Sequence, residues 1–214
     1  MIVRLVGSEM CIRDRKISVS GEERFDFIQN LITNDLNKLV NILYSYILTP
    51  QGKILFEVQV ERFSDHFEIL CTNDQFNLFE FLDKYSRLSD VSLEKKSLDS
   101  SLYGEDYLLA LLEKGRVDSN FLNHSTHIPS EIHDEYIDYQ KGCYVGQEVV
   151  SRIKHRQLNK KNIKIFEISD DSLIDLSSNL KLLLELGKYK LIRLDISSDY
   201  DEILKKFKLK IINS

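Results

Sequence analysis

Lys141-Gly142-Cys143-Tyr144-Val145-Gly146-Gln147-Glu148, followed by Arg152, His155 and Arg156, is the stretch on which the reading of the chain turns. Gly142 and Gly146 permit backbone conformations and close approaches that a side chain would block. Residues 147–154 carry a helical pattern, so Cys143 is expected just before a helix N-terminus. There the helix dipole and the neighbouring Lys141 favour the thiolate. Gln147 and Glu148 offer the donor and acceptor pair that a polar heterocycle needs, and Arg152 or Arg156 offers a bidentate grip for a carboxylate. The same residues also admit a plain structural reading, in which Cys143 is a small buried apolar side chain and the glycines only make a turn.

Upstream of this stretch the pattern is of short strands alternating with helices. Ile17 and Val19 alternate with polar residues as a strand, and Ser20-Gly21-Glu22-Glu23 reads as a capping box opening a helix that carries Phe27, Ile28, Leu31 and Ile32 and ends near Asn34-Asp35. Residues 43–48 predict a strand and Thr49-Pro50-Gln51-Gly52 a turn. Ile54, Phe56, Val58 and Val60 then alternate with Leu55, Glu57 and Gln59, which predicts a hairpin with one buried face. A third strand around residues 66–71 leads to a helix capped at Asn73 or Asp74, with Phe76, Phe79, Leu82 and Tyr85 as its core stripe. A short strand at 91–93 and an apolar stretch at 98–114 follow, and residues 120–135 read as a polar loop punctuated by Pro129. Small groups of both element types point to an α+β fold.

Composition narrows the class. In 214 residues, 43% hydrophobic and 29% charged residues describe a globular chain, and no apolar run approaches the length of a membrane span. The balance of 29 basic and 34 acidic residues, net −5, excludes a protein that coats nucleic acid non-specifically. Three cysteines without a CxxC pair argue against a disulfide framework or a zinc site and for a reducing compartment. His124, His127 and His133, near Asp134 and Glu135, lack the fixed spacing of metal ligands, so no metal is expected. Residues 1–15, with Cys11, show no period, and VGSEMCIRDR resembles a translated sequencing adapter; they read as a non-native scar, with the native start upstream. A basic run from Arg152 to Lys164 and a Leu-rich stretch beyond it place a domain boundary after Arg156.

The string KGCYVGQEVVSR is similar to the signature of the YgfZ/GcvT-like folate-binding family, which includes mitochondrial iron-sulfur assembly factors and is related to the aminomethyltransferase of the glycine cleavage system. Val19-Ser20-Gly21, Leu31-Ile32-Thr33-Asn34-Asp35, Leu48-Thr49-Pro50-Gln51-Gly52-Lys53-Ile54-Leu55 and residues 107–115 agree with it in order, so the resemblance covers residues 16–156. It implies a GcvT/YgfZ-like folate-binding domain over 16–156, an abbreviated C-terminal β-barrel-like domain over 157–214, and tetrahydrofolate as cofactor. Cys143 takes the place of the family's functional cysteine. Tyr107 and Glu113 fall near the folate, and Lys141, Gly142, Tyr144, Gly146, Gln147, Glu148 and Arg152 join them as binding residues.

The implied role is a cytoplasmic accessory protein supporting assembly or repair of iron-sulfur enzymes, including those that modify tRNA. Its expected partners are folate and iron-sulfur client enzymes or assembly proteins, with no direct nucleic-acid contact and no membrane. The alternative is a tetrahydrofolate-dependent aminomethyltransferase, whose paired acids read here as Phe56-Glu57. The chain departs from the family at Leu111, where Arg is usual, at Arg116-Val117, where Ile-Pro is usual, and at Gln157, which replaces a Gly.

Overall fold

Two five-stranded sheets carry the described part of the chain, which in this computed structural model is residues 3–4, 15–72, 77–96, 105–122, 126–168, 180–195 and 209–212. In chain order the strands are β1 (Val3–Arg4), β2 (Arg15–Ser20), β3 (Ile42–Leu48), β4 (Ile54–Arg62), β5 (His66–Cys71), β6 (Ser92–Lys96), β7 (Lys161–Ile168), β8 (Leu180–Leu186), β9 (Tyr189–Asp195) and β10 (Leu209–Ile211). The helices are α1 (Arg24–Leu31), α2 (Leu78–Ser86), α3 (Glu105–Glu113) and α4 (Gln147–His155). The first sheet runs β3-β4-β5-β2-β6, antiparallel throughout. The second runs β1-β8-β9-β7-β10, with only the β1–β8 pair parallel. Among the described residues no helix is long and apolar enough to cross a membrane.

The period of two along β4 decides where the site falls. Phe56, Val58 and Val60 turn to one face of the first sheet and pack with Ile17, Val19 and Ile69 against α1 and α2. Glu57 and Gln59 turn to the other face, opposite Tyr46 and Tyr44 in the β3–β4 register. That second face is not solvent: Glu57 is only 7% exposed. The hairpin expected to have one buried face therefore has two, and its polar side is covered by the chain between α3 and α4.

The second sheet packs Ile163, Ile165, Leu184, Leu186 and Leu191 against Leu108 and Leu112 of α3 and against Phe121 and Leu122. A third cluster joins Tyr46, Leu48 and Ile54 to Tyr136, Ile137, Tyr144 and Val150. The outer margin of β3 is closed by the turn after α1: Thr33 N–H donates to Tyr46 O at 2.9 Å, Tyr46 N–H to Thr33 Oγ1 at 3.0 Å, and Asn34 Nδ2 to Tyr44 O at 3.0 Å. Thr33 Oγ1 also donates to Tyr136 O at 2.8 Å, tying this margin to the segment covering the sheet.

Local signals are corrected in three places. The capping box does not form; Glu23 caps α1 without a side-chain bond, and its carboxylate instead accepts the Asp90 N–H at 2.7 Å. Gly21, at φ 111°, is required there because a Cβ would stand 2.3 Å from Asp90 O. Helix α2 is capped by Asn77, whose side chain accepts the Glu80 N–H; Asn73, Asp74 and Phe76 lie outside the described residues. Its buried stripe is Leu78 and Leu82, while Tyr85 is 39% exposed. The described residues of the supposed polar loop at 120–135 are largely interior, with Asn120, His127, Glu131 and His133 all buried, and these four are satisfied by other side chains and by the backbone.

Candidate functional site

The loop bearing Cys143 is held by an interlock of glycines. Gly146 caps α4 at φ 84°, and a Cβ on it would lie 2.6 Å from Thr49 O. Gly52, at φ 73°, faces back, where a Cβ would meet Val149 Cγ1 at 3.0 Å. The Thr49-Pro50-Gln51-Gly52 turn and the 142–146 loop thus nest because neither carries a side chain at the crossing. Cys143 is exposed beyond the nest, and Gly142 opens onto empty space.

Lys141 is turned inward. Its ammonium donates to Gln29 O at 2.6 Å, Ile32 O at 2.7 Å and Asn34 O at 3.0 Å, using all three protons on the end of α1. Burial lowers its pKa to about 8, against the upward pull of Asp35 and Asp138. Its place is that of a clamp, and its protons are not directed at the Cys143 thiol. Gln147 Nε2 donates to Lys141 O at 3.4 Å, Tyr144 is buried beneath the Lys141 ammonium at 5.3 Å from ring centre, and Glu148 pairs with Arg152 on the exposed face of α4 at 2.7 Å.

Tyr107 lies elsewhere. It joins Tyr44, Glu57, Gln59, Arg116 and Asp118 around a cleft of about 290 Å³ between the polar face of the first sheet and α3. Glu113, the exposed last residue of α3, is outside this lining. The floor is a buried acid pair. Glu57 accepts from the Ser119 N–H at 2.8 Å and the Ser119 hydroxyl at 2.7 Å, and Asp118 accepts from Thr72 Oγ1 at 2.5 Å and the Asn120 N–H at 2.9 Å. Desolvation raises both carboxyls, and the proximity of Asp118 raises Glu57 further, which favours a protonated carboxyl in this pair. Above the floor the Arg116 guanidinium sits 4.4 Å from the Tyr44 ring centre and donates to Tyr136 Oη at 2.5 Å; Tyr44 and Tyr136 stack at 5.4 Å.

The sequence reading missed Arg116, Asp118, Tyr44 and Tyr136. A signal existed in Asp118-Ser119-Asn120, a polar triplet set inside an apolar stretch, and in the alternation of Tyr44 and Tyr46. His127 Nδ1 is 3.1 Å from Glu131, which also receives Arg193 at 2.6 Å, and His133 Nε2 is 2.8 Å from Val117 O. His124 and Cys11 lie outside the described residues. Cys71 is sealed at 0% exposure.

No family model matches the chain. The fold does match a solved one: glycine cleavage system aminomethyltransferase T from Bartonella henselae aligns with a TM-score of 0.65 over 86% of this chain and 76% of that one, at 11% identity. The chain is therefore an α+β protein of the aminomethyltransferase fold. Among curated proteins it is 40% identical to an aminomethyltransferase of Thermoanaerobacter sp. over 60 residues, 27% of this chain and 16% of that protein. It is 32% identical to the tRNA-modifying protein YgfZ of Vibrio atlanticus over 65 residues, 29% and 20% of the two chains. It is 21% identical to a mitochondrial iron-sulfur cluster assembly factor IBA57 homolog of Mycosarcoma maydis over 69% of this chain and 53% of that one. The chain thus spans well under two thirds of the length of each curated relative. With the shared fold, these local matches make the chain similar to aminomethyltransferases, to YgfZ and to the iron-sulfur cluster assembly factor homologs.

Proposed function

We propose that the chain is a folate-binding accessory protein that supports assembly or repair of iron-sulfur enzymes, including those that modify tRNA. The observation that carries this reading is the contrast between its two described cysteines: Cys71 is sealed in the core, whereas Cys143 is exposed on a loop that the Gly52–Gly146 nest and the Lys141 clamp hold in place. An inert cysteine needs no such support. Cys143 carries the chemistry; Lys141, Gly142, Tyr144, Gly146 and Gln147 fix its loop, and the Glu148–Arg152 pair borders it.

The cleft lining fits tetrahydrofolate. A protonated Glu57 donates and accepts at once, as the amide edge of a pterin requires, and Tyr44 and Tyr107 supply aromatic walls. When bound, the cofactor supplies a nitrogen able to carry a one-carbon unit. Glu57 orients the heterocycle, the neighbouring Asp118 carboxyl favours the protonated form of Glu57, and Arg116 fixes the aromatic side by binding Tyr44 and Tyr136. Glu113 stands at the surface beyond this lining. We read residues 16–156 as the folate-binding domain and 157–214 as an abbreviated counterpart of a C-terminal barrel, working in a reducing cytoplasm with iron-sulfur client proteins.

The test is rescue of an iron-sulfur-dependent tRNA methylthiolation defect in cells lacking their own family member. The parent is expected to rescue and Cys143→Ala to fail; equal rescue by both overturns the role of the thiol. One observation favours a second reading, aminomethyl transfer: a buried acid, Glu57, does face the cleft. Turnover with an aminomethylated lipoyl carrier, abolished by Glu57→Gln, would establish it.

A further inference from the structure

The C-terminal end of α4 closes on a residue that suits it poorly. Leu158 N–H donates to Ile153 O at 3.0 Å and Gln157 N–H to Lys154 O at 3.2 Å, the paired bonds that end a helix with its next residue left-handed. Glycine usually fills that place; here it is Gln157, at φ 50°. The side chain kept against this strain is an amide with no hydrogen-bond partner among the described residues, and it lines a pocket of about 540 Å³. The Ser130 hydroxyl lines the same pocket and is equally unpartnered among the described residues. We propose that this pocket docks an extended acidic segment of the protein on which Cys143 acts. That the docked protein is the client of the thiol rests on the accessory-protein reading above.

The volume suits a few residues of extended chain. Gln157 and Ser130 offer the donors and acceptors that a peptide backbone repeats. Asn159 is fixed beside them, its Nδ2 donating to Ser130 O at 2.8 Å and its Oδ1 accepting the Lys161 N–H at 3.2 Å. Ile153 supplies apolar lining, and Leu158, 49% exposed, adds to it at the surface. The acid of the lining, Asp134, is met within the chain by Lys154 and by the Tyr139 hydroxyl. The free cations stand beside the pocket: Arg156 precedes Gln157, and Lys160 and Lys161 follow Asn159, all three exposed and without an ion pair among the described residues. Charges so placed meet a ligand that runs past the pocket on both sides, as a chain does and a small anion does not. On a protein of net charge −5, residues 152–164 hold six cations and no acid. The lining residues include no aromatic ring on which a base could stack, which favours a peptide over single-stranded RNA. Helix α4 is about 13 Å long, with the Cys143 loop at its other end, a distance that about four extended residues span.

Fluorescence polarisation of the full chain with a labelled, end-blocked peptide of alternating Asp and Ala tests this. At low salt the peptide is expected to bind, and its counterpart with Asn for Asp to bind about ten-fold more weakly. Lys160→Glu combined with Lys161→Glu should weaken the acidic peptide by at least about ten-fold. Gln157→Gly should weaken it about five-fold, the worth of one hydrogen bond, while the urea midpoint does not fall. Gln157→Asn, which keeps an amide and tolerates the left-handed turn, should retain most of the affinity. Cys143→Ala should bind the peptide as the parent does, whereas the Gln157→Gly and Lys160/Lys161 variants should rescue the methylthiolation defect less well than the parent. Equal binding of the neutral peptide, full affinity in Gln157→Gly, tighter binding of a uridine oligonucleotide, a dimer in sedimentation that Gln157→Gly abolishes, or full rescue by the pocket variants overturns the proposal. Peptide binding by a parent that fails to rescue would instead sink the accessory-protein reading and leave the pocket as a docking site.

Discussion

Gln157 turns at φ 50°, in the left-handed region where a side chain costs about 1–2 kcal/mol. The family resemblance places a glycine at this position, so the turn into β7 has been kept and strained. Gln157→Gly is expected to stabilise the protein by about 0.5–1 kcal/mol, the strain relieved less the added freedom of the unfolded chain, seen as a higher urea midpoint at unchanged slope. A lower midpoint would show that the Gln157 side chain compensates its backbone. Glu57 gives a second residue-scale effect. Its carboxyl is raised well above 4.5 by burial and by Asp118. A raised folded value means that its contribution is fully present below the unfolded pKa and is lost as pH rises through the folded one. Glu57→Gln should therefore gain on the parent steadily between acid and alkaline pH in urea titrations, and a pH-independent difference would show that the buried carboxyl titrates normally.

At the scale of elements, Lys141 shows why adjacency in sequence misleads. Two residues from Cys143, it reads as a partner for the thiol, but the carbonyls it meets lie 107 to 112 residues earlier in the chain. Lys141→Met removes three charge-assisted bonds and leaves the end of α1 unsatisfied; a loss of about 2–4 kcal/mol is expected in chemical denaturation. A loss below half a kcal/mol would show that water replaces the ammonium. Sequence periodicity was sufficient for β2 to β5, for the turn at Gly52 and for α4, since each is set by neighbours a few residues away. The cleft was less legible. Asp118, Asn120, His127, Glu131 and His133 look like a solvated loop because hydropathy records polarity, and cannot tell a group satisfied by water from one satisfied by protein. Arg116 looked like a defect in a motif until the fold set it between Tyr44 and Tyr136.

At the scale of the whole molecule, residues 126–133 join the sheets. Ile54 N–H donates to His127 O at 2.9 Å and Lys53 reaches Thr126 O at 3.3 Å on the first sheet, while Arg193 of β9 meets Glu131 at 2.6 Å on the second. Burial pushes the Glu131 carboxyl upward, yet His127 and Arg193 hold it below 4.5, so its contribution is present above that value and fades as pH falls. Arg193→Met leaves Glu131 buried with His127 alone and is expected to cost about 3–5 kcal/mol. Hydrogen exchange should show protection lost together at Ile54 and along β9; loss on β9 alone would show that the sheets are not coupled through this segment.

The cover that Thr33 and Asn34 place on β3 has a consequence for life in a crowded cell. Ile-Leu-Tyr-Ser-Tyr-Ile-Leu, residues 42–48, has no proline and no charge and is rich in β-branched and aromatic side chains, the composition from which cross-β spines are built. With Thr33 and Asn34 in place its carbonyls at Tyr44 and Tyr46 are already engaged. Should the turn after α1 peel away, that strand becomes a template for identical copies. The residues that support the cleft wall thus also guard the chain against seeding its own fibrils.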